Sequence, residues 1–228
     1  MTMGLRVMNI RSRVAKPRQF APPVPGRRER KRTETRERIF RAAMELFGQR
    51  GFFETTVEDI TEAADVGKGT FFNYFPSKEQ VFGVLYEIQL TRVSQARVAA
   101  QRGELSLRDL LRHFVHQIAE EPGKNAQVAR GLIATVVSSE AVRKMHLETI
   151  KRGRQILGEV LSLGQKRGEI RSDLTPENMV RALQEALIGT VLLWSLNPPS
   201  NLEKRLDAIF EIYWSGISLP ARKGAGSS

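Results

Sequence analysis

The chain has 228 residues, 41% of them hydrophobic, with no cysteine and a formal net charge of +11. That is enough apolar material for one large core or two smaller ones. The absence of thiols excludes a disulfide framework, thiolate metal sites and a cysteine nucleophile, and is compatible with a reducing cytoplasm, the compartment expected here. No run approaches eighteen apolar residues, so neither a membrane-spanning segment nor a membrane partner is expected.

Most of the charge sits at the start. Residues 1–32 hold ten bases against the single acid Glu29, a net of +9, which leaves only +2 for the other 196 residues. Pro17, Pro22, Pro23, Pro25 and Gly26 interrupt this stretch. With no apolar periodicity either, residues 1–31 are expected to be disordered. Several uses stay open. The segment is either a basic arm that lies along phosphates, each contact releasing a counterion, or a solubilising tail. A start at Met3 or Met8 is also available. The segment is similar to a transit peptide in its arginines, though not in its prolines.

From Thr33 onward the pattern is helical. Ile39, Ala43, Leu46 and Phe47 recur at helix spacing, and Gly51 stands where a helix would stop. Thr56 caps the next segment, with Asp59 three residues on to complete a capping box. Pro76 breaks the chain, and Ser77 with Gln80 reads as a second capping box opening a long helix. Apolar stripes follow over residues 107–118, 128–136 and 139–167. Gly168 ends the last of these, Thr175 caps its successor, and Pro176 takes the first turn of a helix that runs to about Leu196. Leu206, Ile209, Phe210, Tyr213 and Ile217 mark a final helix. With no strand alternation and no repeat, the fold class predicted is all-α, with about nine helices.

Within this series, residues 56–75 stand out. Two short helices about the turn Asp65-Val66-Gly67 make a helix-turn-helix arrangement. Ala64 is small where the helices cross, Val66 fills the angle, Asp65 tolerates a left-handed backbone and Gly67 serves as N-cap. At about 100° per residue, Phe71 and Phe75 share the buried face of the second helix. Gly69 and Asn73 then point away from it, Thr70 is also outward, and Phe72 and Tyr74 flank the edges.

That outward set suits a DNA major groove. Asn73 can pair bidentately with adenine, Thr70 can touch a thymine methyl, and Lys68 can reach guanine or phosphate. Gly69 lets the backbone come close, and Tyr74 offers a hydroxyl to phosphate. Thr56 and Lys78, at helix starts, combine donors with favourable dipoles for phosphate. The other reading is a compact helical hairpin with aromatic anchors and no nucleic acid. Over residues 33–75, five bases face eight acids, a net of −3. Long-range attraction of DNA therefore falls largely to the arm.

Residues 33–85 resemble the DNA-binding signature of the TetR family of bacterial transcriptional regulators. The resemblance rests on Ala43-x-x-Leu46-Phe47, Gly51-Phe52 before the capping threonine, and Gly69-Thr70-x-x-x-Tyr74-Phe75 followed by Lys78-Glu79. Three positions depart from it. Asp65 replaces a common glycine, Gly67 a frequent serine, and Phe72 a usual tyrosine, which reduces Phe72 to a van der Waals contact.

The resemblance implies an all-α homodimer with a three-helix DNA-binding head and a larger body that binds a small-molecule effector. It also implies dimerisation through the last two long helices. The expected division is a basic arm (1–31), a helix-turn-helix head (32–76), a regulatory and dimerisation body (77–218) and a flexible tail (219–228). Leu183, Leu187, Trp194, Leu206, Phe210 and Tyr213 are then the dimer-interface candidates, with Gly189 allowing close approach. The same stripes also fit a purely intramolecular core. A twofold dimer demands a near-palindromic double-stranded operator.

The function expected is a sequence-specific regulator, a repressor released from its operator by the effector, with activation as the opposite sign. The alternative is a helical ligand-binding or adaptor protein whose arm binds polyanions unspecifically. No enzyme, cofactor or metal is expected. His113 and His116 share a helix flank without a cysteine or carboxylate at partnering spacing, and His146 has no local partner. Residues 67–70 lack the long run of a phosphate-binding loop, and no nucleophile motif occurs.

Overall fold

Helix-forming periodicity accounts for nearly all of the architecture. The computed structural model describes residues 26–103, 105–197 and 201–219. Among them are nine α-helices: α1 (Arg27–Arg50), α2 (Val57–Ala63), α3 (Lys68–Tyr74), α4 (Gly83–Arg102), α5 (Leu107–Gly123), α6 (Ala126–Ser138), α7 (Glu140–Lys166), α8 (Pro176–Leu196) and α9 (Leu202–Ile217). The described residues form no strand beyond an isolated antiparallel bridge between Ile170 and Ser218. The all-α expectation holds. The 1–25 part of the expected arm and the 220–228 part of the expected tail lie outside the described residues.

Local chemistry sets most boundaries. Gly51 and Gly168 follow α1 and α7 at φ of 92° and 70°, backbone that other residues avoid. The capping box at α2 is complete: the Asp59 amide donates to Thr56 Oγ1 at 3.1 Å and the Thr56 amide to the Asp59 carboxylate at 2.8 Å. Thr175 accepts from the Asn178 amide at 3.3 Å ahead of Pro176. Asp65, at φ 49°, makes the left-handed turn between α2 and α3.

Two starts differ from expectation. Helix α1 begins at Arg27, not Thr33, so the basic run Arg27–Arg32 is helical and exposed. Once past Pro25, those arginines, glutamate and lysine are good helix formers. Ser77 and Gln80 make no capping box. A 3-10 turn over Glu79–Phe82 leads into α4, closed by backbone bonds such as the Gln80 amide to the Ser77 carbonyl at 3.2 Å. The tighter turn buries Val81 and Phe82 completely.

Two apolar cores result. The head core is aromatic: Phe47 meets Phe52 edge-on at 5.0 Å and Phe82 at 5.4 Å. It reaches beyond residue 76, taking Leu85 and Tyr86 from α4, Leu132 from α6 and Val142 from α7. The body core gathers Leu111, Leu157, Leu161, Leu183 and Phe210. Helix α4 joins both, since Val93 and Ala100 belong to the body. It packs along α7 more extensively than any other pair of helices packs.

The interface candidates are mostly core. Leu183 and Phe210 are fully buried within the one chain, and Leu187, Trp194 and Leu206 nearly so. Tyr213 is partly buried. Because α8 and α9 pack on α7 and α5, their helical stripes are already used inside the protomer. Ile188, Leu193 and Leu196 on α8 and Ile212 on α9 are the apolar residues that face outward. By length and composition alone helix α8 could cross a membrane, with a mean hydropathy of 1.3 over an eighteen-residue window of its 21 residues. Here its Met179–Trp194 stripe lies in the body core.

Two substitutions test this packing. Phe210→Ala is expected to lower unfolding free energy by about 3–5 kcal/mol, read by denaturant titration. Asp65→Val forces a β-branched side chain into the left-handed turn and should cost about 1–2 kcal/mol. Asp65→Gly should stay close to wild type in the same assay.

Candidate nucleic-acid interface

The candidate recognition surface is built on two buried rings. Phe71 and Phe75 lie within the head core with centroids 5.8 Å apart. The Arg36 guanidinium sits 5.5 Å from the Phe75 centroid. With that face anchored, Lys68, Gly69, Phe72 and Asn73 are exposed, while Thr70 and Tyr74 are partly buried at the edges. A Cβ at Gly69 would meet nothing within 4 Å, so the fold itself does not require that glycine. Phe72 is 51% exposed although it stacks edge-on against Phe71 at 5.3 Å.

Three expected contact residues carry internal bonds. Lys68 pairs with Glu58 on the first turn of α2. That ammonium holds the Glu58 carboxyl below the usual carboxylate range. The Thr56 hydroxyl donates to Asp59 at 2.7 Å. The Thr56 amide, joined by this hydroxyl and nearby Arg50, lowers the Asp59 pKa.

Lys78 departs furthest from its expected role. Its ammonium donates to the Phe52 carbonyl at 2.8 Å and the Thr55 carbonyl at 2.7 Å, and lies 4.3 Å from the Phe52 ring centroid. Partial burial lowers its pKa. This lysine therefore ties the loop before α2 to the entry of α4. Its partners lie 26 and 23 residues away, too far for any local pattern to signal them.

A second site lies in the body, where sequence reading found no candidates. A cavity of about 110 Å³ opens among α4, α5, α7 and α8, bounded by Leu90, Phe114, His146, Leu157, Gln184 and Leu187 among others. No aspartate, glutamate, lysine or arginine lines it. Burial lowers the His146 pKa, and its Nδ1 has no hydrogen-bond partner. The His146 ring is 5.4 Å from that of Tyr86, whose buried hydroxyl is likewise unpartnered and whose pKa burial raises. The other histidine pair is dispersed: His116 meets Asp207 at 3.1 Å on the outer surface. Among the described residues no three histidines or carboxylates gather as a metal site would require.

Comparison with known proteins agrees with this geometry. Residues 39–85 match the family model of bacterial regulatory proteins of the TetR family, and residues 102–206 that of tetracyclin repressor-like C-terminal domains. The HTH-type transcriptional repressor DhaR of Mycobacterium sp. (strain GP1) is 26% identical over 184 residues, covering 79% of this chain and 92% of its own. The HTH-type transcriptional regulator TcmR of Streptomyces glaucescens is 50% identical over 60 residues, 26% of each chain. Thermus thermophilus FadR, a TetR-family repressor crystallised with lauroyl-CoA, superposes with a TM-score of 0.57 at 29% identity, covering 84% of this chain and 100% of that one. With matches to both a DNA-binding head and a regulatory body, this chain belongs to the TetR family of bacterial transcriptional regulators.

Proposed function

We propose that the protein is a cytoplasmic homodimeric repressor with a basic arm, a DNA-binding head that takes in the helical Arg27–Arg32 run, and a regulatory body. It grips a near-palindromic operator and lets go when a small molecule occupies the body cavity. The observation that carries this reading is the outward face of α3. Asn73 is exposed and makes no side-chain hydrogen bond within the described residues, beside an uncrowded Gly69 and the hydroxyl of Thr70. Asn73 reads adenine, Thr70 touches thymine and Phe72 adds van der Waals contact, while Tyr74 and Thr56 meet phosphate. Lys68 joins them by exchanging Glu58 for DNA. Lys78 acts indirectly, by holding the loop that presents Thr56.

Release follows from linkage. A ligand that binds one arrangement of the body more tightly shifts the population toward it. Since α4 has residues in both cores, its movement re-spaces the heads. The lauroyl-CoA complex of the Thermus relative supports a small organic effector. The twofold contact is assigned to the outward residues Ile188, Leu193, Leu196 and Ile212, with Gly189 and Gly216 open to close approach. In such a dimer the two recognition helices sit about one DNA turn apart, near 34 Å.

Selection of bound fragments from random and genomic DNA tests the operator. Wild type should enrich one near-palindromic site, and Asn73→Ala should relax or abolish it at unchanged helicity. Fragments without a common sequence would refute the reading. A version starting at Gly26 should keep the site. The salt slope of the dimer should be shallower by up to about 9, because each phosphate contact contributes about 0.9 and residues 1–25 hold five bases in each of the two copies. Ile212→Arg should shift sedimentation toward monomer while the far-ultraviolet spectrum is retained. An unchanged dimer would exclude this face.

A further inference from the structure

The body cavity differs in chemistry from the surface grooves. A groove of about 1030 Å³ between α1 and α4 is bounded by Arg36, Glu37, Arg41, Glu87 and Arg92. The body cavity has no formal charge on its walls. An ion entering it would lose hydration and meet no charged group in the lining itself, the Arg154 guanidinium being engaged by the Gln184 oxygen, which is unfavourable. Its polar wall groups are neutral hydrogen-bonding ones, notably His146 and Gln184. The Gln184 amide accepts from Arg154 Nε at 3.1 Å and donates to the Ile150 carbonyl at 3.3 Å, which leaves one amide hydrogen unused. His146 contributes an imidazole whose Nδ1 is unpaired.

Size narrows the class further. At about 110 Å³ the cavity is smaller than the ~150 Å³ of an engineered apolar cavity that binds benzene. Phe114 bounds it on one side, and the same residue lines a groove of about 550 Å³ between α4 and α5. That groove is walled mainly by Ala96, Val98, Ala99, Leu105 and Leu110, with Gln95, Arg102 and Gln117 also on its lining. Phe114 is therefore a partition between a small chamber and a larger apolar trough.

Resting on the reading of the body as the effector domain, we propose that the effector is an uncharged, largely apolar molecule. It is about one ring in size and carries one hydroxyl or carbonyl held by His146 and Gln184, and Phe114 sets the size limit. A longer apolar substituent fits only when the Phe114 ring swings aside and joins chamber to trough.

The test uses purified full-length protein without DNA, with 4-ethylphenol, toluene, benzoate, lauroyl-CoA and 4-hexylphenol as probes. 4-Ethylphenol at a hundredfold excess over its Kd should raise Tm by about 5–10 °C. Toluene should bind more weakly and benzoate should give no shift. His146→Phe, which keeps a ring against Tyr86, should weaken 4-ethylphenol about three- to tenfold and leave toluene unchanged. Phe114→Ala should turn the preference toward 4-hexylphenol, and Phe114→Leu covers the case in which the alanine variant fails to fold.

Equal or tighter binding of benzoate or lauroyl-CoA, no shift with 4-ethylphenol, or an unchanged length preference in both Phe114 variants would overturn the proposal. The two readings separate cleanly. If 4-ethylphenol binds but leaves affinity for the selected operator unchanged, the site chemistry stands and effector-driven release falls. If lauroyl-CoA alone binds and releases DNA, release stands and this effector class falls.

Discussion

The double burial of α4 is the constraint on which the rest of the structure depends. Its first turns are held by the head core through Leu85 and Tyr86, and its later turns by the body core through Val93 and Ala100. Twenty residues of helix span about 30 Å as one stiff element. The Arg36 guanidinium meets the Glu87 carboxylate through bonds of 2.7 and 2.6 Å, a solvated pair that links α1 to the same helix. At the other side, a Cβ at Gly83 would lie 3.0 Å from Met145 Sδ, so α4 begins pressed against α7. Close-packed interfaces of this kind shift between discrete arrangements instead of deforming smoothly. Motion at the middle of α4 must therefore be taken up in one core or the other.

The α4–α7 joint is also where polar groups are left without partners. Tyr86 places an unpaired hydroxyl and His146 an unpaired ring nitrogen in buried surroundings. Each such group costs about 1–3 kcal/mol relative to a satisfied one, and phenylalanine at either position would remove that cost. The contrast lies on the outer surface, where Arg108 with Glu211 and Arg112 with Asp207 bridge α5 and α9 at 2.7 and 2.8 Å. Those pairs are solvated and individually contribute little. Tyr86 and His146 instead meet where α4 packs on α7, and a further unpartnered hydroxyl, that of Tyr213, is buried on α9.

Electrostatics divides the labour of the head. Residues 33–75 are acidic on balance, and the one outward cation on α3, Lys68, is already paired with Glu58. The basic run Arg27–Arg32 stands at the N-terminal end of α1, where the helix dipole disfavours cations. That local cost is modest, about 0.3–1 kcal/mol per charge. It places a dense positive segment on a rigid element of the head. In the proposed reading, sequence discrimination and charge attraction rest on separate surfaces, α3 for the first and the basic segment that runs into α1 for the second.

Much of this was legible in the residues alone, and the divide follows the range of the forces. Helix caps such as Thr56 with Asp59, the glycine stops at 51 and 168, the left-handed Asp65, and the split of α3 into Phe71 and Phe75 against Gly69 and Asn73 all depend on neighbours within about four positions. The chain states those directly. Where Lys78 spends its charge, which side of α8 and α9 is already covered, and how His146 and Gln184 come to one cavity are decided by elements tens of residues apart. A helical stripe has the same 3.6-residue period whether its partner is another helix of the chain or a second copy. The sequence therefore determined the helices and their apolar faces, and only tertiary packing decided what each face touches.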